Sequence, residues 1–283
     1  MNFYIVDAFT SVPFGGNTAG VVILPDNSIF PDDILMQKIA AELRYSETAF
    51  VIKNTDGDFT TRYFTPEGEV DLCGHATIAL FTVLIETGAV KKSDMCINRT
   101  KAGNLKVKID DDIWMDMAAP KYIGKIETPE ELYRIMSGKE MESLKGYVPE
   151  IISTGLPDII LPVSDLHELN SLRPDMQALA DLSRELGVTG VHAFAIEKDN
   201  YTAHVRNFAP LYGIDEESAT GTANGALTYY LYKYGIVTPE NKCIFIQGEA
   251  MGRASEISAA ISEEGSVRVG GSGKIVASGT LHL

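Results

Sequence analysis

The sequence predicts a strand-rich α+β fold of two pseudo-symmetric lobes, each a curved, barrel-like sheet wrapped round one central helix. Three observations carry this expectation. The run Arg62-Tyr63-Phe64-Thr65-Pro66 returns as Arg206-Asn207-Phe208-Ala209-Pro210, 144 residues on (62 to 206) in a chain of 283. Each copy is followed by an acidic loop and then by a glycine that opens an apolar run, Gly74-His75-Ala76-Thr77 and Gly221-Thr222-Ala223, now 147 apart (74 to 221). Recurrence of the whole strand-loop-glycine pattern at half the chain length marks a duplicated unit with a three-residue insertion. The first apolar run, Ile78 to Ile85, is apolar nearly all round, as a helix enclosed by other elements is.

Along the chain, alternating or β-branched stretches predict strands at 3–8, 20–24, 48–53, 59–64, 104–109, 112–117, 158–162, 192–197, 201–206, 243–247, 256–262, 266–269 and 274–279. A helix is expected at about 31–44, with Pro31 at its start and Asp32 and Asp33 at its positive end. The two central helices should stop at Gly88 and Gly235, glycine being the residue best suited to the left-handed turn after a helix. These elements suggest an N-terminal lobe over 1–123, completed by the last strand at 274–283, a join at 124–155 and a C-terminal lobe over 156–273. The two helix N-termini are expected to face one cleft.

Composition narrows the function. With 45% apolar and 22% charged residues and no run of about 20 apolar ones, the chain reads as globular and not membrane-spanning. A net charge of −15 disfavours nucleic acid and anionic lipid as partners. The start of the chain carries no basic segment leading into an apolar run, so the cytoplasm is the expected compartment. Three scattered cysteines, Cys73, Cys96 and Cys243, form no disulfide framework, and no zinc-type ligand spacing occurs. Neither redox nor zinc chemistry is indicated. The glycine run at 270–273 lacks the spacing of a phosphate-binding loop, since Arg268 and Ile275 stand where glycine and a hydroxyl residue belong; it reads as a turn between strands.

Several residues can carry chemistry. Helix N-termini present unpaired N–H groups, so the turns at Gly74-His75 and Gly221-Thr222 suit an anion such as a substrate carboxylate; alternatively each glycine only permits a tight turn. Glu47, at the entrance to the apolar strand at 48–53, is a proton-transfer candidate if burial raises its pKa, or else a solvated loop residue or a cap. His75 either faces a bound anion or shuttles a proton, or caps its own helix.

With these residues in place, the sequence closely resembles the PhzF-like (phenazine biosynthesis-like) isomerase family over nearly its whole length. The motifs are Phe14-Gly15-Gly16-Asn17-Thr18-Ala19-Gly20, Ser46-Glu47-Thr48-Ala49-Phe50, Arg62 to Pro66, Asp71 to Thr77, Ala219 to Ala223 and Gln247-Gly248-Glu249-Ala250-Met251-Gly252-Arg253. The resemblance implies the diaminopimelate epimerase-like fold, a homodimer, and cofactor-independent movement of a proton within a small acid. It implies Glu47 as the acid–base residue, with Gly74, His75, Glu217, Gly221 and Thr222 lining the site for a small anionic metabolite. Two departures stand out: Glu217-Ser218 replaces the usual Asp-Pro, and Thr18 replaces a proline. Related epimerases use two cysteines, one from each half; here Cys73 stands at the first such position but Thr220 at its equivalent in the repeat, and a threonine hydroxyl is too weak an acid to replace a thiol. An epimerase using Cys73, or a metabolite-binding protein without catalysis, are the competing readings.

Overall fold

The computed structural model describes residues 1–137 and 144–282. In chain order the elements are β1 (Asn2–Ala8), β2 (Asn17–Ile23), α1 (Asp33–Leu43), β3 (Thr48–Lys53), β4 (Phe59–Phe64), β5 (Glu69–Val70), α2 (Gly74–Glu86), β6 (Met95–Thr100), β7 (Gly103–Ile109) and β8 (Ile113–Asp116). There follow β9 (Lys121–Lys125), α3 (Pro129–Ser137), β10 (Glu150–Ser153), β11 (Pro157–Pro162), α4 (Leu166–Ser171), α5 (Met176–Leu186), β12 (Val191–Ala195), β13 (Ala203–Ala209) and β14 (Ile214–Glu217). The chain ends with α6 (Gly221–Lys233), β15 (Cys243–Gln247), β16 (Ser255–Ile261), β17 (Val267–Gly271) and β18 (Gly273–Thr280). No helix among the described residues is long and apolar enough to cross a membrane.

Two compact units emerge: Met1–Asp116 with Gly270–Leu283, and Met117–Val269. The division falls at 116/117 rather than at 123. The segment 124–155 is not a free join but contributes α3 and β10 to the second unit, apart from 138–143, which lie outside the described residues.

In the first unit β1 is paired on both sides, antiparallel to β2 and to β18, and β2 runs parallel to β3. The sheet continues through β4 to β6, β7 and β8. Helix α2 packs against β1, β2, β3, β8 and β18, and His75 to Phe81 are all buried, as its all-round apolar sequence requires. Outside this sheet α1 covers Val22, Phe50, Ile52 and Phe64. Asp32 caps α1, its carboxylate accepting from the Leu35 amide at 2.8 Å.

The second unit repeats the plan around α6, which packs against β10, β11, β12 and β16. Here β11 pairs with β12 in parallel, β12 with β13 antiparallel, and β13 with β14 and β15. Helices α3, α4 and α5 cover the other face, on Ile151, Ile159, Leu161, Val191 and Ala193. Both central helices end as expected, with Gly88 at φ +74° and Gly235 at φ +73° just past the last turn.

The repeated motif builds the same device twice. Arg62 grips Glu69 through Nε and Nη2, both at 2.7 Å, tying β4 to β5; Arg206 grips Glu216 at 2.8 and 2.7 Å, tying β13 to β14. Each guanidinium also stacks over the phenylalanine two residues on, Phe64 and Phe208. The three-residue insertion lies inside the second clamp, where a single 3₁₀ turn spans Pro210–Tyr212. The clamps fix the strands that deliver the chain to the starts of α2 and α6.

Candidate active site

Glu47 lies just before β3, its carbonyl accepting from the Gly20 amide at 3.0 Å, so the backbone beneath the carboxylate is fixed by β2. Its Oε2 stands 3.1 Å from His75 Nε2, close enough for an ion pair but off the hydrogen-bond direction. The Ser46 hydroxyl is 3.2 Å from the same nitrogen, and the Cys73 sulfur 3.4 Å from His75 Nδ1. His75 is buried and is the second residue of α2, yet its ring turns to Glu47 and Cys73, so capping its own helix is not its role.

Burial pushes the Glu47 carboxyl up, but the His75 charge and the polar contacts of His75, Ser46 and Cys73 outweigh it, and its pKa lies below the ordinary 4.5. The expected upward shift of Glu47 is thereby corrected: the first unit places a cation beside the glutamate. For His75, burial opposes the charged ring, while Cys73 and the Glu47 carboxylate together lift its pKa well above 6.5. Cys73 moves up, through burial and the Glu47 charge, and is a thiol at neutral pH. Glu47 carboxylate and His75 imidazolium therefore form an ion pair with a neutral thiol at its side.

The ligand atoms of Glu47, Cys73 and His75 lie within 4.8 Å of one another, the one such grouping among the described residues. Thiolate, imidazole and carboxylate are zinc-type donors. A cation there would have to displace the protons of both His75 and Cys73, so proton chemistry is the simpler use of the cluster.

The first turn of α2 begins after Cys73, which makes no side-chain cap. Beneath it Tyr63, Thr77, Asn98 and Thr61 form a buried hydrogen-bonded chain that rigidifies the turn. The second unit starts α6 in the same way, after Thr220, again with no side-chain cap. The Thr220 hydroxyl instead donates to Glu217 Oε2 at 2.6 Å. Gly221 is buried and Thr222 partly exposed at the helix start.

Sequence reasoning missed Gln247, although it opens one of the motifs. Its Nε2 donates to the Glu217 carbonyl at 2.8 Å, and its Oε1 accepts from the Thr220 amide and from Asn224 Nδ2. Gly248, at φ +79°, lies so close to the Arg253 and Ser218 carbonyls that a Cβ would stand 2.5 and 2.9 Å from them. That motif is therefore the scaffold of the Glu217–Thr220 loop. Two departures from the family pattern also find side-chain partners: the Thr18 hydroxyl donates to Asp7, which accepts from the Phe14 amide too, and the Glu217 carboxylate accepts from the Thr220 hydroxyl. The glycine run at 270–273 passes from β17 into β18, and a side chain at Gly273 would strike Thr82, so close packing explains it.

A cavity of about 230 Å³ in the first unit, lined by Tyr4, Lys53, Phe59, Leu84 and Thr87, lies at the C-terminal end of α2 and contains none of these groups.

Comparison with known proteins agrees with this architecture. Residues 6–279 match the family described as phenazine biosynthesis-like protein (PhzC-PhzF). An uncharacterized isomerase of Clostridium acetobutylicum is 36% identical, covering 97% of this chain and 95% of its own. The uncharacterized isomerase YddE of Escherichia coli K12 is 33% identical over 92% of this chain and 89% of its own. A PhzF family protein of Bacillus anthracis superimposes with a TM-score of 0.89 at 26% identity, covering 100% and 99% of the two chains. A hydroxyproline epimerase of Agrobacterium vitis, TM-score 0.62 at 13% identity over 99% of this chain and 90% of its own, shares the fold. From its motifs, its duplicated architecture and these matches, the chain belongs to the phenazine biosynthesis-like (PhzF) family.

Proposed function

We propose that the protein is a cofactor-independent isomerase that moves a proton within a small carboxylic acid, with Glu47 as the acid–base residue. The observation that supports this most is the ionised Glu47 held against His75 beside the uncapped start of α2. In this reading the carboxylate removes a proton from a carbon next to a carbonyl or carboxylate. The C–H electron pair enters a new C=C bond, and charge develops on the adjacent oxygen. The Glu47 carboxyl, whose O–H exchanges with solvent, then delivers a proton to another carbon, the electrons flow back, and the carboxylate is restored. Nothing is oxidised or reduced, so the step balances without a cofactor. His75, as imidazolium, offers a charge-assisted donor to the developing oxyanion, and the α2 amides around Gly74 add their dipoles. In the second unit the turn at Gly221 and Thr222, with Glu217 beside it, offers a carboxylate helix N–H groups of the same kind.

Proton NMR in deuterated water, with a panel of small unsaturated acids and amino acids, tests the assignment. Deuterium should enter a substrate carbon with the native protein and fall by at least about a hundredfold in Glu47→Gln, the usual loss when an acid–base group is removed. Exchange that survives Glu47→Gln but vanishes in Cys73→Ala would assign the chemistry to the thiol instead.

A further inference from the structure

Asp158 belongs to none of the motifs, yet it is the most conspicuous carboxyl of the second unit. It lies in β11 opposite Ile152 of β10, so it shares the face that packs on α6, while Ile151 and Ile159 point to the opposite, helix-covered face. It is 1% exposed. Among the described residues nothing hydrogen-bonds to its carboxyl and no cation is paired with it. The turn three to four residues before it packs on the start of α6: the Thr154 hydroxyl donates to the Thr222 carbonyl at 2.8 Å, and Gly155, at φ +146°, abuts the Thr222 methyl. An unpartnered buried acid thus lies on the α6-facing side of β11, within reach of the Glu217 charge, on the hairpin whose turn packs on the helix start that carries Gly221 and Thr222.

We propose that Asp158 is a ligand-binding residue of the α6 site, its carboxyl group donating a hydrogen bond to an oxygen of a bound carboxylate held at the Gly221–Thr222 turn. The proposal rests on the reading of this site as one for a carboxylic acid. A buried carboxylate with no donor around it is strongly disfavoured, so the group resides as the acid. Burial, and secondarily the charge of Glu217, push its pKa up to about 8. The charge state has a use. An ionised Asp158 beside Glu217 would repel an incoming anion, whereas the neutral acid supplies a donor that complements the helix N–H groups.

The other titratable groups on the α6-facing side do not compete for this role. His192 of β12 is driven down to about 3 by burial and is neutral. Glu150 of β10 is bound by Lys233 at 2.7 and 2.8 Å. Asn207 of β13 and Asn224 of α6 do not titrate.

Sodium acetate is the probe, followed through the Gly221 and Thr222 amide resonances, alongside the infrared carbonyl band of a protonated carboxylic acid. Native protein should show that band at pH 7 and lose it as pH rises through about 8, with acetate affinity weakening about tenfold over the same range, the worth of one such hydrogen bond. Asp158→Asn, which keeps a donor, should lack the band and bind acetate with no change across that range. Asp158→Ala should bind about tenfold more weakly at pH 7. Failure of acetate to shift these amides, a band that persists in Asp158→Asn, or affinity in the native protein that is level from pH 7 to 9 would each overturn the proposal. The native-protein titrations decide the matter even if a variant fails to fold. Acetate binding asks nothing of Glu47, so loss of deuterium exchange and loss of this site are separate results.

Discussion

His75 stands between a carboxylate and a thiol, and its charge sets the state of both. Replacing it by glutamine removes the cation while leaving Glu47 enclosed, so burial then acts with less opposition. The Glu47 pKa should rise from below 4.5 to above it in His75→Gln, read by carbon NMR of the labelled carboxyl; a value that stays low would mean that the histidine charge is not its cause. The pair also predicts a bell-shaped rate profile. The acid limb lies below 4.5, where the depressed Glu47 protonates, and the alkaline limb above 6.5, where the elevated His75 discharges. Stability follows the same signs. Glu47 contributes above its unfolded pKa of 4.5, a contribution lost as pH falls through the lower folded value; His75 contributes below 6.5, a contribution lost as pH rises through the higher folded value. Urea unfolding at pH 6 should show Glu47→Gln destabilised by up to about 3 kcal/mol, with the deficit shrinking towards both extremes of pH.

The two arginine clamps look alike in sequence but differ in surroundings. Arg206 has a side chain 7% exposed and donates to the Leu169 and Leu172 carbonyls as well as to Glu216, whereas the side chain of Arg62 is 20% exposed. Arg206→Ala strands a partly buried carboxylate and two carbonyls and should cost about 3 to 5 kcal/mol; Arg62→Ala leaves Glu69 its second partner, Lys101 at 2.7 Å, and an exposed Asp33, and should cost about 1 to 2. Equal losses in denaturant unfolding would refute the distinction. The clamps also show what the sequence discloses. The motif recurrence and the apolar run after Gly74 reveal the duplicated helix-in-sheet plan, because period and composition are local signals. Helices α3 and α5 are amphipathic, and α5 runs from an Asp175 cap to a left-handed Gly187, so their signals are present in the sequence but lie outside the repeated motif; α4, six residues long, is too short to show a helical period. Glu47 and His75 are recognisable through their motifs, but the direction of the Glu47 shift depends on a neighbour 28 positions away (47 to 75), and Asp158 has no motif at all.

At the scale of the chain, the first unit is discontinuous. Its strand β1 has one neighbour from the start of the sequence, β2, and one from its end, β18, in register from Asn2 opposite Thr280 to Ala8 opposite Gly273. Removing residues 273–283 should expose one edge of β1 and one side of α2, so amide exchange should accelerate in β1 and α2 by at least about a hundredfold, while β11 to β13 of the contiguous second unit keep their protection. Uniform acceleration in both units would show that they unfold as one. The closing strand also has a temporal meaning. During synthesis the second unit is whole once Val269 has left the ribosome, but in the first β1 and α2 lack a flank until β18 has emerged as well. The half that is begun first is closed after the other, and a nascent chain stalled before β18 carries Glu47 and His75 in a sheet that still has an open edge.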